Sequence, residues 1–448
     1  MVARIESIYK TKLGEIIHAD NLKALSTMQG SSVDSCISDF PYDLSFMGKK
    51  WDNKADFYSW NKQRAEALYR VMKSGGYVAI FGHPKTNHRM KSAFEDVGFR
   101  IVEEIDWIYL TGMPKNQDIG KMFDNAAGVE REVARVDTSK LRPNRKSEGQ
   151  GAKRVLAGGF QSDNGATITL PVTELAKKWN GWKTAGLKPA HEPITIFQKP
   201  LDGTYIQNIK KHGCGGMNID ACRIDISSAD IDMLNAKSSK KPTTNYSDKP
   251  GKVYGKFAED KAVPANEAGC FPPNVIFDEY TAQLLDEQTG QSKSSGGTGI
   301  ASRINRARNV YEAFQDKTNE EYFNDSLGGY GDSGGGSRLF KIIKYCPKVA
   351  PKERLLPSGK RNPHVTLKPV ELIKWLIKLL TPIDGLTIDI TAGSGTHGVA
   401  CELLNLQEGY SLQWINIDIT NTPEEPYCDV AKERIQAIVE DDSQIGVF

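Results

Sequence analysis

The sequence has few cysteines, and their spacing is unlike that of metal sites. No Cys-x-x-Cys pair occurs, and the seven cysteines lie at positions 36, 214, 222, 270, 346, 401 and 428. Cys214 and Cys222 are eight positions apart with no matching His cluster, so no metal site is predicted. An odd cysteine count without a signal peptide predicts a reducing, cytoplasmic environment.

Long apolar runs and an excess of one charge are also missing. No stretch approaches the roughly 18 apolar residues that span a bilayer, so no membrane partner is predicted. The 58 basic and 56 acidic residues give a formal net charge of +2. Any surface that binds nucleic acid must therefore depend on a local cluster of basic residues.

One segment does concentrate positive charge. Residues 138–160 contain one acidic residue, Glu148, and the following basic residues: Lys140, Arg142, Arg145, Lys146, Lys153 and Arg154. A weaker candidate is Lys210-Lys211, followed by His212. Both clusters are compatible with phosphate contacts, and a solvated surface face is the alternative for each.

The stretch Ser38-Asp39-Phe40-Pro41-Tyr42 follows the short apolar run Val33–Ile37. It is predicted to lie at the carboxyl end of a strand, where open α/β sheets bind ligands. The Asp39 carboxylate and the Phe40 carbonyl can each accept an N–H of an exocyclic amine, while Pro41 fixes the backbone and Tyr42 offers a flat face for stacking. A plain Asp–Pro turn after a strand is the alternative.

A second stretch near the C-terminus predicts a cofactor loop. Leu386–Ile388 is strand-like, Gly393 and Gly395 permit a tight turn, and His397–Leu404 is helix-like. This strand, Gly-rich loop and helix arrangement is typical of nucleotide-type cofactor sites. It lacks the Gly-Lys-Ser/Thr of a phosphate loop and the third Gly of the dinucleotide fingerprint.

A strand predicted over 414–417 follows that helix and ends in Asp418. An acid about 20 residues after a Gly-rich loop is typical of ribose binding. A plain βαβ unit is the alternative.

The order of these motifs resembles that of solitary prokaryotic or phage DNA amino-methyltransferases of the β class, in which the catalytic motif precedes the cofactor motif. Further segments are similar to that family: Glu15–Leu22, Asp43–Asp52, His191–Ile194, Lys199–Leu201, Gly216–Arg223, Phe271–Ile276 and Asn362–Pro369. The collinear similarity extends from about residue 14 to residue 437.

The resemblance implies an α/β fold, a doubly wound Rossmann-like sheet with an inserted, irregular target-recognition region. Residues 1–120 and 338–448 are expected to form the catalytic domain, and 121–337 the recognition region. The strands that lead to Asp39 and Asp389 must then be neighbours, so that a target base and a cofactor can meet.

The resemblance also implies S-adenosylmethionine as cofactor and double-stranded DNA as partner, with the target base flipped out of the duplex. The catalytic residues would be Asp39, Phe40, Pro41 and Tyr42. The cofactor-binding residues would be Asp20, Thr366, Lys368, Asp389, Thr391, Ala392, Gly393, Ser394, Gly395 and Asp418. The DNA-binding candidates are Phe46 and Trp51, for which packing within the catalytic loop is the alternative, and Lys140, Arg142, Arg145 and Lys146 of the basic segment. A homodimer is compatible with the resemblance, and a restriction partner is left open.

The chain departs from the family pattern at Phe40, Ile390, Thr391 and Val365. Phe40 replaces the first proline of the catalytic tetrapeptide, Ile390 and Thr391 replace a Pro-Phe pair, and Val365 replaces a proline. The leading hypothesis is methylation of the adenine 6-amino group. Methylation of the cytosine 4-amino group and a DNA-binding relative with lost or altered group transfer are the alternatives.

Overall fold

The structure is a computed structural model that describes most of the two ends of the chain and parts of its middle. The described residues are 5, 7–44, 52, 55–109, 116–137, 166–225, 269–290, 292–293, 333–343 and 354–440. The chain divides into two compact units. The first comprises Met1–Met217, Asn274–Thr281 and Ile343–Phe448, and the second comprises Asn218–Pro273 and Ala282–Ile342.

Regular strands and helices alternate through the N-terminal part of the first unit. They are β1 (Ser7–Lys10), β2 (Gly14–His18), α1 (Asn21–Thr27), β3 (Val33–Asp39), α2 (Phe57–Val71), β4 (Met72–Phe81), α3 (Asn87–Val97) and β5 (Arg100–Ile108). The side chains of Asp20 and Asp56 cap α1 and α2 by accepting backbone N–H groups of the first turn, which fixes where both helices begin.

The middle of the chain adds shorter elements to the first unit. They are α4 (Ile119–Ala126), β6 (Val133–Asp137), β7 (Ala166–Thr169), α5 (Glu174–Lys178), β8 (His191–Gln198), α6 (Tyr205–His212) and β9 (Val275–Asp278). Strands β6 and β7 form an antiparallel pair.

Helix α7 (Glu279–Thr289) begins in the first unit and ends in the second. Within the second unit, the two-residue strands β10 (Ser292–Lys293) and β11 (Ser333–Gly334) pair antiparallel. A further strand, β12 (Lys341–Ile343), ends at the boundary of this unit.

The C-terminal part of the first unit completes the fold. Its elements are α8 (Val370–Leu380), β13 (Leu386–Asp389), α9 (Thr396–Gln407), β14 (Gln413–Asp418) and α10 (Tyr427–Glu440). Leu372, Ile373, Leu376 and Ile377, which form the helical stripe of α8, are all buried.

Nine strands of the first unit form one sheet in the order β1-β2-β14-β13-β3-β4-β8-β5-β9. The run from β2 to β4 is parallel throughout, and β8 pairs antiparallel with both β4 and β5. Helices α1 to α3 pack on one another in sequence order, as do α8 to α10. The predicted α/β, Rossmann-like sheet is confirmed.

Strand β13 pairs in parallel with β3, with Thr387 opposite Ser35 and Ile388 opposite Cys36. The carboxyl ends of these two strands therefore lie side by side, as the sequence predicts. Asp34 supports the pairing because its carboxylate accepts the backbone N–H of Leu386 at 2.8 Å.

The predicted functional regions 1–120, 121–337 and 338–448 stay a prediction. Within the middle region, β8 and β9 are strands of the main sheet. Strand β8 is buried from Glu192 to Gln198, so its sequence lacks the alternation of a half-exposed strand. Among the described residues, no helix has the length and apolar character needed to cross a membrane.

Candidate active site

Asp39 is the last residue of β3, and its carboxylate is held by two side chains. Oδ1 accepts a hydrogen bond from the Tyr42 hydroxyl at 2.8 Å, and Oδ2 accepts one from Lys368 Nζ at 2.7 Å. About 20% of the Asp39 side chain stays exposed. The carboxylate is thus fixed in direction while remaining open to a further hydrogen-bond donor, because an ionised carboxylate can accept about four.

Lys368 comes from the segment before α8 and connects three oxygens around Asp39. Besides the Asp39 contact, its Nζ lies 3.2 Å from Glu192 Oε2 and donates to the Tyr42 hydroxyl oxygen at 3.1 Å. It also lies 4.9 Å from the centroid of the Phe81 ring. The structure therefore places this predicted cofactor-binding residue against the catalytic motif.

The loop that carries Tyr42 is fixed by backbone contacts. The buried carboxylate of Asp52 accepts the backbone N–H groups of Tyr42 at 2.7 Å, Asp43 at 3.0 Å and Leu44 at 3.2 Å. The Thr86 hydroxyl donates to the Tyr42 carbonyl at 2.8 Å. These bonds hold the backbone of Tyr42 in place.

The charges of this cluster are strongly coupled. Burial raises the pKa of Asp39, the Lys368 ammonium opposes that rise, and the Glu192 carboxylate adds to it. Burial would lower the pKa of Lys368, but Asp39 and Glu192 raise it overall. Burial raises the pKa of Tyr42 well above its usual range, so the Tyr42 hydroxyl stays protonated and can donate.

Phe40 points its side chain away from this cluster and into the core. Only 2% of Phe40 is exposed, and its ring meets the Trp60 ring edge-on at 5.4 Å and the Phe94 ring at 6.3 Å. The aromatic side chain thus fills core space at a position where the family has proline. The Phe40 side chain is thus a core residue, and the role of its backbone carbonyl stays a prediction.

The catalytic motif and the Gly-rich loop are joined by direct hydrogen bonds. Ser38 Oγ donates to Asp389 Oδ1 at 2.6 Å, and the Thr391 hydroxyl donates to the Asp39 carbonyl at 3.0 Å. Ile390 contributes through its backbone N–H, which donates to Ser38 Oγ at 2.9 Å. Burial raises the pKa of Asp389 to about 7, against the hydrogen bonds from Ser38 and Thr391.

The turn at Gly393 and Gly395 has left-handed backbone angles, with φ of 51° and 77°. The backbone N–H of Gly393 donates to Asp418 Oδ2 at 2.7 Å, which links the loop to the end of β14. A Cβ atom on Gly393 would lie 2.5 Å from Nε2 of His364. The Gly-rich loop and the segment around His364 are therefore in close contact, and only glycine fits between them.

The segment 362–368 is fastened to this loop. Asn362 Nδ2 donates to Ser394 Oγ at 3.1 Å, and Arg434 donates to the Ser394 carbonyl at 2.7 Å. The predicted cofactor residues Ala392, Ser394 and Thr366 thus lie in or beside this contact. Asp20 lies at the end of the adjoining β2, where it caps α1.

The residues present fit a nucleotide-type cofactor. The loop at Gly393 leaves no room for a side chain. The Nδ1 atom of His364 is buried without a hydrogen-bond partner among the described residues. Burial, together with the positive charges of Lys368, Arg434 and Arg354, lowers the pKa of His364 to about 3. In the same loop, the Asp418 carboxylate meets the Gly393 backbone, and an acid at this place suits a ribose hydroxyl pair.

Several predicted DNA-binding residues lie outside the described residues. They are Phe46, Trp51, Lys140, Arg142, Arg145 and Lys146. Their roles stay predictions from the sequence.

Sequence reasoning missed two residues of the cluster, Glu192 and Tyr109. Glu192 Oε1 accepts a hydrogen bond from the Tyr109 hydroxyl at 2.9 Å, and its Oε2 lies 3.3 Å from the Tyr42 hydroxyl oxygen. The similarity of His191–Ile194 to the family was the available signal. A Glu within a buried apolar strand is costly without partners, and this could have marked Glu192.

Comparison with known families gives a match over nearly the whole chain. The model of a DNA methylase family, named for N6 and N4 methyltransferases, matches residues 33–433. The match includes both the catalytic motif and the Gly-rich loop.

Curated relatives are methyltransferases of low identity. The chain is 22% identical to the type II methyltransferase M.HindIII of Haemophilus influenzae over 244 residues, which cover 45% of this chain and 64% of that protein. It is 29% identical to M.HpaI of Haemophilus parainfluenzae over 117 residues, covering 25% of this chain and 36% of that protein. The matches therefore span less than two thirds of either relative.

A solved structure, of the cytosine-N4-specific PvuII DNA methyltransferase, aligns with 98% of this chain and 95% of its own. The TM-score is 0.37 and the sequence identity is 13%.

Proposed function

Because the chain belongs to the N6/N4 DNA methylase family, we propose that it is a site-specific DNA methyltransferase. It transfers a methyl group from S-adenosylmethionine to the exocyclic 6-amino group of adenine in a flipped-out base. The single observation that carries the proposal is the junction of the two motifs: the Thr391 hydroxyl of the Gly-rich loop donates to the carbonyl of Asp39 at 3.0 Å.

S-adenosylmethionine, when bound, supplies an electrophilic methyl group on a positively charged sulfur. The Gly-rich loop from Asp389 to Gly395 and the acids Asp20 and Asp418 would hold it. Asp418 already orients the Gly393 backbone, so the loop is shaped before a ligand arrives. Such preorganisation reduces the cost of ordering on binding.

Asp39 and the Phe40 carbonyl would accept the two N–H groups of the target amine. These contacts draw the nitrogen toward tetrahedral geometry and expose its lone pair, which is otherwise delocalised into the ring. Catalysis then comes from positioning and from electrostatic stabilisation of the positive charge that develops on nitrogen. The fixed carboxylate of Asp39 supports this role.

The Tyr42 ring would stack on the flipped base. Its backbone is held by Asp52 and Thr86, so the ring is positioned before the base enters. Flipping costs a few kcal/mol, which stacking and protein contacts offset. Double-stranded DNA would be contacted by the region 121–337, with Lys140, Arg142, Arg145 and Lys146 on phosphates, in the cytoplasm of the cell.

Nucleoside mass spectrometry of DNA from cells that express the protein tests the proposal. We expect N6-methyladenine with the native protein and none with Asp39→Ala. N4-methylcytosine in its place would identify the other amine as the target. Unmodified DNA from cells in which the folded protein binds S-adenosylmethionine would show a relative without catalysis.

A further inference from the structure

Glu192 lies at the centre of the polar cluster around Asp39, and the proposed transfer mechanism gives it no role. Only 8% of the residue is exposed. Its Oε1 accepts from the Tyr109 hydroxyl at 2.9 Å, and its Oε2 lies 3.2 Å from Lys368 Nζ and 3.3 Å from the Tyr42 hydroxyl. Burying a second carboxylate beside Asp39 is unfavourable unless it is paired.

The ammonium of Lys368 is held from both sides. It has three N–H donors, and three oxygens lie within hydrogen-bonding distance: Asp39 Oδ2 at 2.7 Å, the Tyr42 hydroxyl at 3.1 Å and Glu192 Oε2 at 3.2 Å. Each donor therefore has an acceptor. Without Glu192 one donor would lack its acceptor, and Lys368 would be positioned by Asp39 and Tyr42 alone.

Two carboxylates around one ammonium leave the cluster with one net negative charge. As the new N–C bond forms, the S–C electron pair returns to sulfur, which leaves as a neutral thioether. Positive charge moves onto the amine nitrogen, which then releases its proton to solvent. Asp39 paired with Lys368 alone would present a neutral pair to that nitrogen. Glu192 supplies the negative charge that makes the cluster complementary to the transition state.

We propose that Glu192 is a positioning residue for the transfer step, which holds Lys368 beside Asp39 and leaves one net negative charge where the amine nitrogen becomes positive. This inference rests on the proposed function, because it concerns the same reaction. It assigns a role to β8, a strand that comes from the middle of the chain.

The pKa of Asp39 distinguishes an electrostatic role of Glu192 from a purely structural one, because a purely structural role would leave that pKa unchanged. The titratable groups that interact with Asp39 are Lys368, Glu192, Tyr42, Tyr109 and Asp389. The Lys368 ammonium lowers the pKa of Asp39 and the Glu192 carboxylate raises it. Removing each charge should therefore shift the Asp39 titration in opposite directions.

The test uses the full chain in three variants: Glu192→Gln, Lys368→Met and the control Glu408→Gln. Glu408 is a carboxylate at the end of α9 that pairs with Lys374 at 3.2 Å and with Lys378 at 2.6 Å. The Asp39 carboxyl carbon is followed by NMR against pH in protein labelled at aspartate, with Asp39→Asn to assign the resonance. Methyl transfer to unmethylated plasmid DNA and the Kd for S-adenosylmethionine are measured in parallel.

We expect Glu192→Gln to lower kcat roughly tenfold to a hundredfold, somewhat less than removal of a group that bonds the transition state directly, with the Kd for S-adenosylmethionine unchanged. The Asp39 titration and the acidic limb of the kcat profile should move to lower pH. Lys368→Met should move the titration to higher pH, and Glu408→Gln should leave all three measurements unchanged.

An unchanged Asp39 titration in Glu192→Gln, or an unchanged kcat, would overturn the proposal. The NMR titration does not require catalytic activity, so it tests the effect of Glu192 on Asp39 separately from the proposed methyl transfer. Opposite shifts in a protein that methylates no DNA would show that the charge coupling exists and that the proposed function is wrong.

Discussion

Ser38 Oγ donates a 2.6 Å hydrogen bond to Asp389 Oδ1 across 351 positions of sequence. Ser38 precedes Asp39 on β3, and Asp389 ends β13 just before the Gly-rich loop. Both residues are buried, so this bond fixes the distance between the two motifs. The active site thus depends on a contact between the two ends of the chain.

Replacing Asp39 by Ala should abolish methyl transfer while leaving the affinity for S-adenosylmethionine nearly intact. Asp39 contacts Lys368 and Tyr42, whereas in the proposed function the loop at Gly393 would hold the cofactor. Calorimetry measures cofactor binding, and incorporation of labelled methyl groups measures turnover. A variant with near-normal turnover would remove Asp39 from catalysis.

Gly393→Ala should weaken binding of S-adenosylmethionine at least tenfold, which corresponds to about 1.4 kcal/mol. The new Cβ would lie 2.5 Å from His364 Nε2, so the loop or the histidine must move. The left-handed backbone adds a cost of about 1–2 kcal/mol to folding.

Gly409→Ala is the matched control for Gly393→Ala. Gly409 also has a positive φ, 72°, but a Cβ there would meet nothing within 4 Å. We expect a smaller loss of stability in urea unfolding, from backbone strain alone, with unchanged cofactor affinity. Equal affinity losses in both variants would mean that backbone strain, and not the contact with His364, weakens binding.

The parallel sheet and both motif positions could be predicted because short β-prone runs precede Asp39 and Asp389. Alternation of strands with helices then implies a parallel order. The role of Lys368 could not be predicted in this way. Its side chain reaches Asp39 across 329 positions, and only the folded backbone brings the two together.

Strand β8 shows a second limit of sequence reasoning. Its residues Pro193–Gln198 are buried on both faces, so no period of two was present to mark a strand. The irregular sequence around it predicted a separate region instead. The Glu192 carboxylate was missed as well, because its partners Tyr109 and Lys368 are distant in sequence.

Asp389→Asn should make the protein more stable than the native chain at high pH. Burial raises the pKa of Asp389 to about 7, from an ordinary value of 3.8. The folded state therefore binds the proton more tightly than the unfolded chain, and this contribution to stability is lost as the pH rises from about 4 to about 7. Asn cannot ionise, but its Oδ1 can still accept from Ser38 and from the Thr391 N–H.

Urea unfolding of both proteins between pH 4 and pH 8 tests this expectation. The free energy of unfolding of Asp389→Asn, minus that of the native protein, should rise by up to about 4 kcal/mol across this range. A difference that does not change with pH would mean that Asp389 titrates normally in the folded protein.

Replacing Lys140, Arg142, Arg145 and Lys146 by Ala should weaken DNA binding and reduce its dependence on salt. Each side chain that no longer neutralises a phosphate should reduce the slope of log K against log salt by about 0.9. Lys10→Ala, which removes a lysine paired with Glu15 at 3.1 Å, serves as control. An unchanged slope in the fourfold variant would place the DNA path elsewhere.

Restoring the family's usual residues at three of the four departures, Phe40, Ile390 and Thr391, should not change the reaction product. Phe40→Pro opens space beside Trp60 and Phe94, at a cost of about 3 kcal/mol or more for a buried aromatic. Ile390→Pro removes the N–H that bonds Ser38 Oγ, and Thr391→Phe removes the hydroxyl bonded to the Asp39 carbonyl. Each restoration should thus lower stability, rate or cofactor affinity.

Nucleoside mass spectra of DNA treated with native and restored proteins decide whether these departures alter the donor. We expect the same methylated amine from both, because Asp39, Asp389, Gly393 and Gly395 are unchanged. If the departures instead widen the site for another donor, the native protein would leave a heavier adduct on DNA. The restored protein would then favour S-adenosylmethionine and lose that adduct, which would overturn methyl transfer as the native reaction.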